Sequence, residues 1–251
     1  MNDTEPARGV IRASRAHSAS KNRRDLQNIC QVVGTIPSPA ALRCALRLKP
    51  GAVDFFELRV DHFARDPSEL LRAAPRLRAP LIVTVRHPAE GGAGALFVAQ
   101  RRELYGQFLP VAKFIDIELR SVRQFPALIA DARARGVRLI VSAHFFKSTP
   151  SHARLETLRD RAFAAGADIF KVATLTHTVP DVLTLATLLA RSPRLPLSVM
   201  GMGKCGKLSR PLLACAGSVL NYGFLDSAQV PGQWPAPLLK ERIAEFGCGE
   251  S

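Results

Sequence analysis

The stretch FIDIELRSVRQFPALIADARARGVRLIVSA, residues 114–143, contains two kinds of periodicity and decides the fold class. Phe114–Leu119 and Val137–Ala143 are short runs rich in β-branched residues, as expected of parallel strands covered by helices. Between them Phe125, Leu128, Ile129 and Ala132 recur at i, i+3, i+4, i+7, the apolar stripe of an amphipathic helix. Pro126 sits where a helix start tolerates a missing N–H, and Gly136 where a helix end needs a left-handed residue. The stretch therefore reads strand, helix, strand.

The same alternation extends in both directions. Further strands are expected at Ile29–Thr35, Val53–Val60, Leu81–Arg86, Ile169–Ala173, Leu197–Met200 and Ser218–Tyr222. Leu155, Leu158, Ala162 and Ala165 form a second helical stripe ending at Gly166, and Leu104, Phe108 and Val111 a third. Pro67 and Pro180 mark other helix starts, and Leu239, Ile243 and Phe246 suggest a final helix. Eight strands alternating with helices fit either a doubly wound sheet or a closed barrel. The first strand runs into GTIPSP, with no GxGxxG or phosphate-loop pattern, so a single (β/α)8 barrel over residues 28–251 is the expected architecture. Residues 1–27 are polar and aperiodic and read as a disordered or loosely docked basic tail; Asp3 and Glu5 argue against a transit peptide.

Composition narrows the function. The formal charge is +14, which raises nucleic-acid binding. The arginines, among them Arg72, Arg76, Arg101, Arg133 and Arg159, are scattered over expected helices, and aromatic residues are not interleaved with them. A basic surface that draws in an anionic metabolite is the better reading, with no specific nucleic-acid partner. No apolar run is long enough for a membrane span or a secretory leader, so a cytoplasmic enzyme is expected. Five cysteines without CxxC spacing read as reduced thiols. His62, His87, His152 and His177 lack metal-ligand spacing, and neither a metal nor an organic cofactor is expected.

The charged residues fall at the C-terminal ends of the expected strands, and in a barrel these ends share one rim. Glu57, Arg59, Arg86, Glu118, His144, Lys171 and Arg210 are therefore expected in one pocket. Lys171 is either a structural charge or, with burial and neighbouring cations disfavouring its ammonium form, a nucleophilic amine. His144 on the next strand is either a core histidine or an acid/base group. Arg86 and Glu90 flank a turn leading into Gly91-Gly92, which lets the loop fold tightly over the rim. The segment GMGKCGKLSR reads as a loop into the seventh helix that aims Arg210 inward, where its fork suits a carboxylate.

Seven segments, in order, carry a resemblance: ELRVD (57–61), TVRxxxEGG (84–92), IDIEL (115–119), SxHxFxxTP (142–150), DIxKVA (168–173), LSR (208–210) and PGQ (231–233). Together they resemble type I 3-dehydroquinate dehydratases. The resemblance implies a lyase of the shikimate pathway in aromatic amino acid biosynthesis, converting 3-dehydroquinate to 3-dehydroshikimate. It implies Lys171 as the Schiff-base lysine, His144 as the general acid/base and Glu90 as its orienting carboxylate. Glu57, Arg59, Arg86, Arg210 and Gln233 would bind substrate, Arg210 through the substrate carboxylate, and a homodimer is expected. Phe145 departs from an often acidic position, and Gln229 stands where some members carry a substrate-contacting serine. Three other readings remain open: a class I Schiff-base aldolase using Gly201–Gly206 as a phosphate loop, a catabolic quinate-pathway role for the same reaction, and a catalytically silent binding barrel.

Overall fold

A computed structural model describes residues 30–192 and 195–247. The tail expected at residues 1–27 lies outside the described residues. The strands are β1 (Gln31–Ile36), β2 (Phe55–Arg59), β3 (Leu81–Thr84), β4 (Ala112–Glu118), β5 (Arg138–Phe145), β6 (Ile169–Leu175), β7 (Leu197–Met202) and β8 (Leu220–Phe224). Helices follow them in turn: α1 (Pro39–Arg47), α2 (Ser68–Ala73), α3 (Val98–Phe108), α4 (Pro126–Ala134), α5 (His152–Ala164), α6 (Val179–Ala190), α7 (Gly206–Cys215) and α8 (Ala236–Glu245). This is the expected (β/α)8 barrel, with each strand displaced by only a few residues from its expected span.

Every ladder is parallel, in the order β7-β6-β5-β4-β3-β2-β1-β8. The remaining seam, β7 to β8, is joined by Val219 N–H to Leu197 O at 2.9 Å and Ser198 Oγ to Leu220 O at 2.6 Å. Ser218 Oγ accepts from Val199 N–H at 2.9 Å across the same seam. Helix boundaries follow local chemistry. Ser38 and Ser151 cap α1 and α5, and Gly136 and Gly166 adopt φ values of 72° and 81° just beyond α4 and α5. The stripe expected to run from Leu104 to Val111 ends early. Pro110 has no N–H to continue the ladder, so α3 stops at Phe108 and Leu109–Val111 tightens into a 3-10 turn.

The two-residue period of the strands sorts the core. Phe56, Ile115, Val141, Phe170 and Val172 face the helices, whereas Phe55, Ile82, Phe114, Ile140 and Ile169 fill the barrel interior. Two residues further along, the interior positions become polar: Glu57, Thr84, Asp116, Ser142 and Lys171, all buried. The next inward positions are Arg59, Arg86, Glu118 and His144. Strands expected to be apolar on both faces are so only in their first half.

No helix among the described residues is long and apolar enough to cross a membrane. The expectation of five reduced thiols needs correction. Cys215, at the end of α7, is disulfide-bonded, whereas Cys30, Cys44 and Cys205 are free.

Candidate active site

The C-terminal ends of the strands open into a cavity of about 350 Å³. Nine of the ten residues singled out from sequence line it, Glu118 being the exception: Lys171, His144, Glu90, Glu57, Arg59, Arg86, Arg210, Gln229 and Gln233. Strand register explains the central pair. Ser142 on β5 lies opposite Lys171 on β6, so His144, two residues on, faces inward one step nearer the rim than the amine.

Lys171 is 3% exposed, and its Nζ donates to Glu57 Oε1 at 3.1 Å and Asp116 Oδ2 at 2.9 Å. The Tyr222 ring centre lies 3.7 Å from the same nitrogen. The amine is thus held by two carboxylates and an aromatic face. The expected pressure from neighbouring cations is absent at first contact, because the inward positions of β2 and β4 are acidic and Arg86 lies beyond them. Burial would push the Asp116 carboxyl up, but the Arg86 and Lys171 cations outweigh it and hold it well below the usual carboxylate range.

Glu90 reaches His144 from the loop after β3. Its Oε2 lies 2.9 Å from His144 Nδ1 and accepts the His144 backbone N–H at 3.1 Å. Burial, then the Arg86 and Lys171 charges, hold the His144 imidazole well below the usual histidine value. Burial pushes Glu90 the other way, up to about 7. Both shifts favour an uncharged pair, suited to taking and returning a proton.

Arg86 donates to Asp116 Oδ2 at 2.9 Å, to Glu118 Oε1 at 3.2 Å and to Ser142 Oγ at 2.6 Å. Arg101, on α3, donates to Glu118 Oε2 at 2.5 Å, Ser121 Oγ at 3.1 Å and Val85 O at 2.9 Å. Two sequence expectations fail here. Glu118 does not line the cavity but lies behind it, between two arginines. Arg101, expected on a solvated helix face, is fully buried. Buried charges require partners, and these two supply each other.

Arg210 projects from α7 into the cavity wall, as the loop-into-helix reading expected. Its NH1 donates to the Tyr222 carbonyl, its Nε has no partner, and burial pushes it down to about 10. Tyr222 Oη, also buried, likewise has no partner. Arg59 is largely committed, donating to Asp61 at 2.8 Å and 3.1 Å and to Gly91 O at 2.9 Å.

Gln233 Oε1 accepts the Gln229 N–H at 2.7 Å, folding the Pro231-Gly232-Gln233 turn across the mouth. That turn packs backbone to backbone on the start of α7: a Cβ on Gly206 would meet the Gly232 Cα at 2.8 Å, so glycine is required there. Within Gly201–Gly206, the N–H groups of Gly203, Cys205 and Gly206 donate to Pro231 O, Thr176 O and Gly203 O. These donors are spent inside the protein and are not turned toward a phosphate.

Thr35, His62, Met200, Met202 and Tyr222 also line the cavity and were not singled out from sequence. An aromatic residue or methionine within an apolar strand has the signal of a core residue, and only the inward phase of its strand distinguishes it.

A family profile described as Type I 3-dehydroquinase matches residues 29–245. A 3-dehydroquinate dehydratase of Thermodesulfovibrio yellowstonii is 34% identical, over 83% of this chain and 92% of its own. A catabolic 3-dehydroquinate dehydratase of Acinetobacter baylyi is 31% identical, over 75% and 74%. The crystal structure of 3-dehydroquinate dehydratase from Geobacillus kaustophilus superposes with a TM-score of 0.78 at 26% identity, covering 86% of this chain and 91% of that one.

Proposed function

Because the chain belongs to the type I 3-dehydroquinase family, we propose that it dehydrates 3-dehydroquinate to 3-dehydroshikimate through an imine on Lys171. The observation that carries the reading is the placement of a buried lysine amine in one cavity with a histidine whose ring is held by a carboxylate.

In this mechanism Lys171 passes a proton to its carboxylate shell and its neutral amine condenses with the C3 ketone. The iminium withdraws electrons from C2, and the free ring nitrogen of His144, Nε2, takes the C2 proton. His144 then protonates the departing C1 hydroxyl. Glu90 keeps the ring in register for both transfers. Arg210, whose Nε has no protein partner, receives the substrate carboxylate. Arg86 and Glu57 line the ring, and Gln229 and Gln233 cover the mouth. The reaction belongs to the shikimate pathway, and one relative is named as a catabolic 3-dehydroquinate dehydratase. The aldolase alternative is disfavoured, since the Gly203, Cys205 and Gly206 amides of its phosphate loop are already bonded within the protein.

A cytoplasmic homodimer is part of the proposal. Exposed Val179 and Leu183 on α6, and Leu208 and Leu212 on the neighbouring α7, offer an apolar face for it.

Incubation with 3-dehydroquinate and borohydride, followed by mass spectrometry, tests the chemistry. A covalent adduct is expected on Lys171 and none in Lys171→Ala. An adduct elsewhere, or none in the unaltered chain, sinks the assignment.

A further inference from the structure

We propose that Tyr222 Oη donates a hydrogen bond to the oxygen on the carbon that Lys171 attacks, first as the ketone oxygen and then as the carbinolamine hydroxyl. The inference rests on the imine reading above and adds a catalytic residue to it.

Tyr222 stands at an inward position of β8, 3% exposed, with its ring face 3.7 Å from Lys171 Nζ. A carbon bonded to that nitrogen carries its oxygen two bonds away, within the shell of groups that surround the amine. Those groups are nearly all spoken for. Glu57 and Asp116 present carboxylates, which accept. Thr84 Oγ1 donates to Glu57 at 3.0 Å, and Ser142 Oγ to Asp116 at 2.6 Å. Arg86 is committed to Asp116, Glu118 and Ser142, and Glu90 holds His144 Nδ1. Two buried donors of cavity residues have no partner, Arg210 Nε and Tyr222 Oη, and of these two residues Tyr222 is the one whose ring packs on the amine. A buried hydroxyl that bonds nothing costs stability, and such groups in a ligand cavity find their partner on the ligand. Burial, together with Glu57 and Asp116, pushes this phenol well above its ordinary value, so it stays protonated and able to donate.

The step balances without net loss of that proton. The amine lone pair forms the C–N bond while the carbonyl π pair moves onto oxygen. Nitrogen then forms the C=N bond as the C–O bond breaks with its pair. Both protons on the departing water originate on the Lys171 ammonium, one by way of its carboxylate shell. Tyr222 stabilises the negative charge that builds on oxygen in both halves and does not ionise.

Tyr222→Phe isolates the hydroxyl and keeps the ring over the amine. Borohydride quenching at short times, with 3-dehydroquinate and the full-length chain, reads the rate of imine formation. Slowing by about tenfold or more is expected, the scale of one hydrogen bond made in a transition state. The melting temperature should be equal to or above that of the unaltered chain, since an unpartnered polar atom has been removed. Imine formation at the original rate overturns the proposal, even if KM changes. So does a lowered melting temperature, which would reveal a structural partner for the hydroxyl. If the unaltered chain traps no imine, the Schiff-base reading itself fails, and the two failures are thereby told apart.

Discussion

Glu90 Oε2 grips His144 twice, at the backbone N–H (3.1 Å) and at ring Nδ1 (2.9 Å). The double contact fixes both where the histidine sits and how its ring is turned. Because Glu90 comes from the loop after β3 and His144 from β5, the loop and the sheet must be correctly assembled before the ring is aimed.

Replacing His144 with Ala should leave Lys171 able to form a trappable imine while kcat falls by about 10²-fold or more, the usual scale for losing a positioned acid/base. Steady-state assay and adduct mass together check this. Undiminished turnover would remove His144 from the mechanism.

Glu90→Gln should alter how stability depends on pH. In the folded protein burial raises Glu90 from 4.5 to about 7, so the folded state holds the proton more tightly than the unfolded chain does. Stability tied to this group is full below about pH 4.5 and is lost as pH rises through about 7. Melting temperatures measured across that window should therefore move in favour of the glutamine variant, which cannot ionise. A constant offset between the two proteins contradicts the assignment.

Arg210→Lys keeps the charge and discards the fork. One charge-assisted hydrogen bond of about 1.5–3 kcal/mol is at stake, so KM should rise by about 10- to 150-fold, with a smaller change in kcat. An unchanged KM would mean that the substrate carboxylate is held elsewhere.

Arg101→Met removes one half of a fully buried ion pair. Glu118 then keeps only Arg86 and the His87 N–H, at 3.2 Å and 2.8 Å. Breaking such a pair costs about 3–5 kcal/mol, and denaturant unfolding should show it. Adding Glu118→Gln should recover part of the loss, because the orphaned charge is gone. A double variant no more stable than the single one argues against the pairing.

The barrel and its rim were legible because local chemistry and global topology agree. The 114–143 unit shows both periods plainly, and parallel strands bring their C-terminal ends together whatever fills the middle. Strand phase was harder to read. Ile169, Lys171 and Ala173 alternate inward while Phe170 and Val172 face out, but an apolar run gives no mark of which set is which. Glu118 was expected in the pocket and Asp116 was not, although Asp116 braces the amine and Glu118 pairs with Arg101 behind the wall. Arg101 itself lies on a helix whose other arginine, Arg102, is exposed, and nothing local separates the two. Tyr222 carries the signal of an ordinary strand aromatic; only its unpartnered hydroxyl, visible once the chain is folded, sets it apart.

From Arg101 through Glu118, Arg86 and Asp116 to Lys171, the charges alternate in sign along one continuous line of contacts. A designer who grafted only the cavity-facing side chains onto another eight-stranded scaffold would leave most of this line behind. The transplanted lysine would then keep Glu57 and the Tyr222 ring but lose Asp116, with aliphatic packing where the alternating charges had held that side of it. Borrowing this chemistry means borrowing the foundation under it, as far back as the third helix.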